Sequence, residues 1–497
     1  MALTLEILLT ITAILTALYY YLTSTFDYWK FRGIPGPKPV PIFGTMKEIF
    51  LTRMSMGTYV TSIYRDYAGE PLVGIYQSRR PMLVVNDLEL IKNIMIKDFS
   101  KFVDRGTSED KYDPLSANLV SLAPEKWRPL RAKLSPVFTS GKLKDMFHLL
   151  VQCSNEFERY LEGINYESVD IRDICGKYTT DVIGVCAFGL QANSMRDGDS
   201  IFRVMGMRIF NPNFKQLMKG ILQFNFPTVY NIVGRYLQDH ELINFFLDLT
   251  KDTMNYRRKN HLVRHDFVDL LMKIKDDKTV EDIEITDELL AAQLFIFFGG
   301  GFETSAGAIS NTLFELALNP SVQEKLREEI HETLATNGGK MTYQSIKRME
   351  YLDSVIKETL RKYPPIPVLL RTSVAPYTFP GFNLTIPKGT MIMVPIYAIH
   401  RDPRYFSDPE KYCPERFGKD STEEHPDMCY LPFGDGPRNC IGSRFALVQV
   451  KAGLITVLKS YAVEVCEKTD KNYEIDEKAF LLIPKNGIFL NMKKLMK

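Results

Sequence analysis

The pattern of apolar and polar residues divides the chain into an apolar N-terminal stretch and a long, mainly helical remainder. From Ile7 to Phe26 the chain carries 20 residues without a charge, about the length that crosses the hydrocarbon core of a bilayer as a helix. A cleaved signal peptide has basic residues in front of a shorter apolar core, whereas Lys30 and Arg32 follow this stretch. We therefore predict an uncleaved single-pass anchor within residues 1–29, with the remainder in the cytosol because basic flanks stay there.

Residues 30–44 are rich in proline, with prolines at positions 35, 37, 39 and 41. This spacing excludes a helix and favours a stiff, extended segment. A PxxP ligand for a partner domain has the same composition, but the place beside the anchor favours a hinge between membrane and globule. Residues 45–497 contain no linker, low-complexity run or internal repeat, which predicts one large domain.

Helical spacing dominates that domain. The stretch SVQEKLREEIHETL follows Asn319 and Pro320, a plausible cap and first-turn proline, and precedes the stop at Gly338 and Gly339. Strand patterns are sparse, and residues 377–396 predict one small hairpin with a turn at Pro387-Lys388-Gly389. The predicted fold class is therefore mainly α with a small β portion (α+β).

Composition and charge exclude several classes of function. The 497 residues include 62 basic and 60 acidic side chains, so the charge is nearly balanced and nothing favours nucleic-acid binding or a disordered tail. The chain has seven cysteines and no C-x-x-C pair. An odd, unpaired set argues against a disulfide framework and a zinc site, and it favours a reducing compartment.

One cysteine, Cys440, lies in the glycine-rich stretch FGDGPRNCIGSRFA, directly before an apolar helical pattern. An isolated cysteine is most often a buried or idle thiol. Here Gly434, Gly436 and Gly442 remove side chains around the sulfur, so a flat or bulky group could approach the backbone. A place at a helix N-terminus also favours a thiolate.

Other roles for this stretch find less support in the sequence. A cysteine nucleophile needs a histidine base, and none of the seven histidines carries a local signature. The dinucleotide fingerprint fails because Asn439 stands where glycine is required. No Walker loop is present in the sequence.

A second unusual stretch is FIFFGGGFETSAG, residues 295–307. Three consecutive glycines in mid-helix each cost about 1 kcal/mol relative to alanine. They allow a flat ring to lie against the backbone, with Glu303 and Thr304 facing the opened groove. In the alternative interpretation the glycines form a loop and Glu303-Thr304 caps the next helix.

The cysteine stretch resembles the ligand loop of cytochrome P-450 haem-thiolate monooxygenases, F-x-x-G-x-R-x-C-x-G. Phe433, Gly436, Arg438, Cys440 and Gly442 match every fixed position. The resemblance implies the cytochrome P-450 fold, haem b (iron protoporphyrin IX) as cofactor and Cys440 as axial ligand to the iron.

Further motifs of the family follow in the same order as in its members. GGFETS resembles the oxygen-binding motif, which implies Gly300 and Gly301 beside the haem and Thr304 with Glu303 in proton delivery. Glu358 and Arg361 in KETLRKYPP, with Arg416 in CPERFG, resemble the buried triad that braces the haem-binding core. An ordinary surface ion pair is the alternative for the first two.

The resemblance also implies cations for the two haem propionates. Trp127 and Arg131 match W-x-x-x-R, and Arg371 and Arg438 occupy positions where family members supply guanidinium donors. Arg105 is a further candidate. Candidate residues for the pocket lining, aromatic and aliphatic, are 102–122, Phe210, Phe214, Phe224, Phe298, Phe302, 367–370, Leu482 and Ile483.

The anchor and proline segment look like the microsomal class, and the motifs are similar to insect enzymes that oxidise plant toxins and insecticides. The resemblance implies a monooxygenase at the endoplasmic reticulum membrane that inserts one atom of O2 into lipophilic substrates. It also implies electrons from NADPH-cytochrome P-450 reductase, with cytochrome b5 as a further partner. A haem-thiolate isomerase or dehydratase and a haem sensor stay open, although Thr304 counts against both. The candidate basic docking patch is Arg128, Lys133, Arg444 and Lys451.

Overall fold

The structure, a computed structural model, describes residues 2–107, 109–210, 213–276 and 284–495, without the side chains of Ala2, Phe224 and Asn225. Helices predominate, as the sequence predicts. The α-helices of the described residues are α1 (Ala2–Thr23), α2 (Lys47–Phe50), α3 (Met56–Asp66), α4 (Leu88–Lys92), α5 (Pro124–Leu134), α6 (Ser140–Glu162), α7 (Ile171–Ile183), α8 (Ile201–Phe210), α9 (Phe214–Asn225), α10 (Pro227–Val233), α11 (His240–Lys259), α12 (Phe267–Asp276), α13 (Asp287–Leu318), α14 (Pro320–Thr336), α15 (Tyr343–Arg348), α16 (Glu350–Lys362), α17 (Ile396–Ile399) and α18 (Ser443–Leu458).

The strands form three small sheets with the orders β1-β2-β7-β4, β3-β9-β8 and β5-β6. Among the strand pairs of the described residues, β2-β7 is parallel and the others are antiparallel. The strands are β1 (Leu72–Gln77), β2 (Arg80–Val85), β3 (Val169–Asp170), β4 (Leu369–Thr372), β5 (Tyr377–Thr378), β6 (Thr385–Ile386), β7 (Met391–Val394), β8 (Tyr461–Val465) and β9 (Phe489–Lys494).

The hairpin predicted around Pro387-Lys388-Gly389 is wrong in its pairing. β6 pairs with β5, whereas β7 lies between β2 and β4 in the first sheet. All four residues of β7 are buried, so burial on both faces favours a central position over a hairpin edge. The turn between β6 and β7 therefore separates two different sheets.

Helix α14 ends where the sequence predicts, before Gly338 and Gly339. Pro320 occupies its first turn, but the side chain of Asn319 makes no cap hydrogen bond. Its amide Nδ2 donates instead to the Glu315 carbonyl oxygen at 2.8 Å, at the end of the preceding helix. The Asn319 side chain therefore caps the end of α13 and not the start of α14.

Helix α13, with 32 residues, runs through the centre of the helical domain. It packs against α7, α11, α16 and α18. The Thr286 hydroxyl caps its first turn by accepting from the Leu289 amide at 3.1 Å. The helix is continuous through Gly299, Gly300 and Gly301, which rules out the alternative that these glycines form a loop.

Among the described residues, α1 and α13 are long and apolar enough to cross a membrane. Two-thirds of the apolar part of α13 is buried inside the protein, whereas Leu3–Thr23 is exposed throughout. Helix α1 is therefore the candidate anchor, and α13 is a core helix.

The segment after α1 lies against the first sheet. Trp29 is buried, its indole Nε1 donates to the Ile75 carbonyl oxygen at 3.1 Å, and its ring fills the space where Gly74 lacks a side chain. The Gly74 amide donates to the Pro35 carbonyl oxygen at 2.8 Å. Residues 30–44 thus have a defined position against β1, and their role as a hinge stays a prediction.

The predicted triad is present as a buried cluster. Arg361 donates from Nε and Nη2 to the two Glu358 oxygens at 2.7 and 2.8 Å, and Arg416 Nε donates to Glu358 at 3.2 Å. Glu358 and Arg361 are completely buried, which excludes the alternative of a surface ion pair. Arg361 also donates to the His400 carbonyl oxygen at 2.8 Å, so the triad joins α16 to the chain after α17.

We expect Glu358→Ala to yield little folded, haem-loaded protein. The substitution leaves the completely buried Arg361 without its carboxylate, while Arg416 keeps Glu423 at 2.7 Å. Loss of one partner of a buried pair costs about 3–5 kcal/mol. Haem content per protein and the urea midpoint of unfolding measure the effect.

Glu324→Ala is the matched control. Glu324 and Arg327 have the same i,i+3 spacing, with 2.9 Å between Oε2 and Nη1, but the Glu324 side chain is 58% exposed. Loss of an exposed pair costs at most about 1 kcal/mol. Equal yields and midpoints for the two variants would show that the triad does not brace the domain.

Candidate active site

The cysteine loop, residues 433–442, folds back on itself in front of α18. The Cys440 amide donates to the Phe433 carbonyl oxygen at 2.9 Å. Gly436 has φ +71°, and a Cβ there would overlap the Met95 carbonyl oxygen, so only glycine fits. The helix predicted after Cys440 begins at Ser443, with Gly442 as its N-cap residue.

The thiol of Cys440 is accessible and yet enclosed by protein. Its side chain is exposed, but desolvation raises the pKa of the thiol, while the Gly442 amide and the charges of Arg105 and Arg131 lower it. A group that is both accessible and desolvated lies in an internal cavity. The pKa is raised overall, so the thiol binds as a thiolate when a metal cation supplies the missing positive charge.

Three arginines that repel one another lie beside the cysteine loop: Arg371 and Arg438 are buried, and Arg105 is partly buried. Among the described residues, Arg105, Arg371 and Arg438 have no carboxylate oxygen within 4.0 Å. Desolvation, followed by repulsion from neighbouring arginines, lowers the pKa of Arg371 and of Arg438 to about 9. The Nε atoms of Arg371 and Arg438 are buried without a hydrogen-bond partner. Buried cations of this kind require an anionic ligand.

Backbone contacts hold these cations in place. Arg105 Nη2 donates to the Arg438 carbonyl oxygen at 2.7 Å, and Arg438 Nη2 donates to the Leu122 carbonyl oxygen at 2.8 Å. The Arg438 guanidinium lies 4.6 Å from the centroid of the buried Trp127 ring. Trp127 therefore orients Arg438 through a cation–π contact.

Arg131 is more exposed than the other three cations, and it contacts the cysteine loop. It donates to the Asn439 carbonyl oxygen at 3.1 Å and to Asn439 Oδ1 at 2.9 Å. The structure thus places the predicted Arg131 beside Cys440, where it joins α5 to the loop. Burial lowers the pKa of its guanidinium, while the Cys440 charge raises it.

These residues fit a haem. An accessible thiol in an internal cavity suits the iron, and the uncompensated arginines suit two propionates. No carboxylate oxygen of the described residues lies within 4.0 Å of Arg371 or Arg438, and the charge of Asp104 only partly offsets the desolvation of Arg438. The donor set therefore matches the cofactor that the sequence predicts.

The three glycines of α13 have different surroundings. A Cβ at Gly300 would have open space around it, whereas a Cβ at Gly301 would overlap the Ile183 side chain of α7. Gly299 lies at ordinary distance from Ile209 and Phe210. Gly300 is therefore the glycine that leaves an open groove, and Gly301 allows α13 to pack closely on α7. The place of both glycines beside the haem stays a prediction.

Thr304 lies one turn after Gly300, and its hydroxyl donates to the Gly300 carbonyl oxygen at 2.6 Å. It borders a small cavity that Glu303, Asn311 and Leu482 also line. The predicted lining residue Leu482 is thus confirmed as a neighbour of Thr304.

Glu303 is buried and forms an ion pair with a side chain that is more exposed. It is 5% exposed, and its carboxylate forms an ion pair with Arg172 of α7, whose side chain is 24% exposed. Sequence reasoning missed Arg172, because the two residues lie 131 positions apart and no motif surrounds the arginine. The ion pair of Glu303 and Arg172 therefore connects the small cavity beside Thr304 with the protein surface.

Phe298 and Phe302 do not share the face of Gly300 and Thr304. Two residues along an α-helix correspond to about 200° of rotation, and Phe298 packs on the rings of Phe202 and Phe246 at 6.1 and 5.5 Å. Both phenylalanines are completely buried. They belong to the core under α8 and α11, so their prediction as pocket lining is wrong. The side chain of Phe224, also predicted, lies outside the described part of the chain.

Comparison with known proteins agrees with this geometry. The family model "Cytochrome P450" matches residues 34–491. The chain is 36% identical to cytochrome P450 6k1 of Blattella germanica, over 98% of this chain and 97% of that protein. It is 38% identical to probable cytochrome P450 6a14 of Drosophila melanogaster, over 94% and 96%.

A third relative, cytochrome P450 6B1 of Papilio polyxenes, is 36% identical over 98% of this chain and 99% of its own length. The matches are from insects and cover nearly the whole of both chains, so the predicted fold and the resemblance to insect enzymes are confirmed. The chain belongs to the cytochrome P450 family of haem-thiolate monooxygenases.

Proposed function

We propose that the protein binds haem b, takes electrons from NADPH-cytochrome P-450 reductase and oxidises lipophilic xenobiotics such as plant toxins or insecticides. The observation that carries this proposal is the accessible Cys440 thiol beside the buried Arg371 and Arg438 and the partly buried Arg105, none of which has a carboxylate oxygen within 4.0 Å among the described residues. Bound haem supplies an iron that binds and activates dioxygen. The protein residues hold that group, exclude bulk water and deliver protons.

Each predicted site residue receives a role in this proposal. Cys440 is the axial ligand, and Arg371 and Arg438, with Arg105 and Arg131 beside them, neutralise the propionates. Gly300 leaves room for the bound gas and substrate. Phe433, Gly442 and Trp127 shape the loop and orient its cations.

Proton delivery falls to Thr304 and its neighbours. The Thr304 hydroxyl holds a water or a proton at the open groove, and Glu303 relays protons from the surface. Arg172 donates a hydrogen bond to the Glu303 carboxylate and so fixes its position. Arg172 is thus a positioning residue for Glu303.

We also propose an endoplasmic reticulum location, with α1 as single-pass anchor and the catalytic domain in the cytosol. Lys30 and Arg32 support this orientation. On the proposed docking face, Arg128 and Arg444 are exposed. Lys451 does not belong to this face, because it is buried and ion-paired with Asp353 at 2.7 Å. Electrostatic attraction of this kind mainly speeds the encounter with the reductase, with cytochrome b5 as a further partner.

The experiment that tests the function is reconstitution. We expect lipophilic compounds that convert the haem from low to high spin to be oxidised only when NADPH, reductase and O2 are all present, with one labelled oxygen atom from ¹⁸O2 in the product. Turnover of an organic hydroperoxide without reductase, and no labelled product with it, would instead identify an isomerase or dehydratase.

We expect Cys440→Ser to lose the reduced carbon monoxide spectrum that is typical of thiolate ligation, because a serine hydroxyl is a far weaker acid than a thiol. Cys466→Ser, which changes another partly exposed cysteine, serves as control and should keep the spectrum. A thiolate spectrum in the Cys440 variant would assign the ligand to another residue.

For Thr304→Ala we expect intact haem binding and NADPH consumption, but a product yield per NADPH that is lower by roughly ten-fold or more. Without the hydroxyl, proton delivery fails and oxygen reduction stops at hydrogen peroxide, which should rise in proportion. Product and peroxide are counted per NADPH. Thr304→Ser, which keeps the hydroxyl, should behave like the parent, and equal coupling in the alanine variant would remove Thr304 from the proton path.

A further inference from the structure

His400 is a completely buried histidine to which the proposed chemistry gives no role. It directly follows α17 and lies beside α16, where Arg361 Nη1 donates to the His400 carbonyl oxygen at 2.8 Å. The ring of His400 lies against the same arginine, with Nδ1 at 3.2 Å from the Arg361 carbonyl oxygen. A carbonyl oxygen can only accept, so Nδ1 carries the proton and donates. The two buried residues thus exchange hydrogen bonds, which fixes the ring to the triad.

The other ring nitrogen of His400 faces the chain just before the cysteine loop. The Leu431 amide donates to Nε2 at 2.7 Å. A backbone amide can only donate, so Nε2 offers its lone pair, which agrees with a proton on Nδ1. Leu431 is buried, and a buried amide is destabilising when it has no acceptor. In this one tautomer, the His400 ring bridges α16 and Leu431.

The surroundings of His400 keep its ring neutral, as this bridge requires. Desolvation first, and then the charge of Arg361, lower the pKa of the imidazole to about 3, although hydrogen bonds to backbone carbonyl oxygens raise it. A protonated ring carries a hydrogen on both nitrogens and accepts nothing from Leu431. The neutral ring therefore persists at physiological pH.

Tyr430 holds the same ring from one face. The rings of His400 and Tyr430 are stacked, with centroids 5.4 Å apart and planes at 23°. The Tyr430 hydroxyl donates to the Lys357 carbonyl oxygen of α16 at 3.1 Å. Two consecutive residues, Tyr430 and Leu431, are thus attached to α16, the first directly and the second through His400.

Two turns of the backbone connect Leu431 with Cys440. The Leu431 carbonyl oxygen accepts from the Gly434 amide at 3.0 Å, and the Phe433 carbonyl oxygen accepts from the Cys440 amide at 2.9 Å. A shift of Leu431 therefore moves Phe433, to which the backbone of Cys440 is bonded. The contact of His400 with Leu431 fixes the start of this path.

Different side chains fix the end of the cysteine loop. Arg131 donates to the Asn439 carbonyl oxygen at 3.1 Å, and Arg105 donates to the Arg438 carbonyl oxygen at 2.7 Å. These arginines come from the other side of the loop. Cys440 thus lies in a loop whose start is held by His400 and whose end is held by arginines.

We propose that His400 is the positioning residue of Cys440, because its ring connects the triad with the start of the cysteine loop and so holds the sulfur in place for the iron. The inference rests on the proposed function in that Cys440 binds the haem iron. Without the acceptor on His400, the Leu431 amide turns to another partner and the turn that carries Phe433 shifts. Thiolate ligation is then lost more readily.

The test compares two amide side chains of different length in the full-length holoprotein. His400→Asn places an amide at the position of Nδ1, so it donates to Arg361 but does not reach Leu431. His400→Gln is one methylene longer, and its oxygen reaches the Leu431 amide. The reduced carbon monoxide complex is kept in mild urea, and loss of the thiolate spectrum is followed over time. We expect about ten-fold faster loss in His400→Asn and a rate within about three-fold of the parent in His400→Gln, since only the first removes a buried acceptor.

Tyr412→Phe is the control for loss of a buried hydrogen bond beside the triad. Tyr412 is buried, and its hydroxyl bonds with the Val355 carbonyl oxygen and the Thr359 hydroxyl, each at 2.9 Å. Both partners lie in α16. This variant should lower the urea midpoint of unfolding but lose the thiolate spectrum at the parental rate, when rates are compared at the same interval below each midpoint. The comparison separates positioning from general stability.

Hydrogen exchange provides a readout that does not depend on the thiolate. The Leu431 and Gly434 amides should exchange about ten-fold faster in His400→Asn, and at the parental rate in Tyr412→Phe. In the parent, the Leu431 amide should exchange as slowly as the central amides of α16. A Leu431 amide that exchanges as fast as an exposed loop would overturn the inference without any variant, which covers a His400→Asn protein that does not fold.

The inference fails if His400→Asn loses the thiolate spectrum no faster than Tyr412→Phe under these matched conditions. It also fails if His400→Gln loses the spectrum as fast as His400→Asn, because the reach to Leu431 would then not matter. A parent protein without a thiolate spectrum would refute the proposed function instead. Hydrogen exchange of the cysteine loop would in that case still decide for or against His400.

Discussion

Buried positive charge beside Cys440 is the constraint on which the arrangement of the site depends. Arg105, Arg371 and Arg438 come from a loop, from β4 and from the cysteine loop, and each is desolvated without a carboxylate partner. A protein sustains such a cluster only when a ligand supplies the negative charge. Backbone carbonyl groups that accept hydrogen bonds from Arg105 and Arg438 hold the loop of Arg105 and the cysteine loop together. The same positive charges therefore help to fold this region and create its need for an anionic cofactor.

The helical periodicity of α13 places the residues of the reactive groove and the residues of the core on different faces of the helix. Gly300 and Thr304 share one face, and Phe298 and Phe302 share another about 200° away. The apolar face packs among the aromatic rings of α8 and α11 and holds the helix in place. The opposite face is not needed for this packing, so it can carry a glycine at position 300. The stability lost to glycine within a helix is offset by packing on the other faces.

Different forces hold two parts of the domain in place. The Glu358 triad lies in a fully buried region where charges are paired, and it joins α16 to the chain after α17. Helices α9 and α10 have one buried residue among their described side chains, Tyr230, and Lys219 of α9 pairs with Asp110 and Asp113. Local opening favours elements with few buried apolar contacts, so we expect α9 and α10 to open more readily than the region around the triad.

Local patterns in the sequence determined a large part of this description. One continuous stretch of the chain contains each of the following features: the cysteine loop, the glycine triplet, the i,i+3 spacing of Glu358 and Arg361, the apolar N-terminal helix and the ends of α14. Their meaning follows from helix periodicity and glycine chemistry, which a sequence displays directly. The family resemblance extended these local signals to the site residues.

Tertiary structure alone decided which distant groups meet. No periodic pattern in the sequence indicates the following features: the pairing of Arg172 with Glu303, the contacts of Asp110 with Lys219, Tyr230 and Gln238, the burial of Lys451 and the central position of β7 in its sheet. Partners separated by a hundred or more positions are chosen by how helices and sheets pack, and each arginine or aspartate has many candidates of opposite charge. The physical reason is that side-chain chemistry is local, whereas burial, which decides whether a charge needs a partner, belongs to the whole fold.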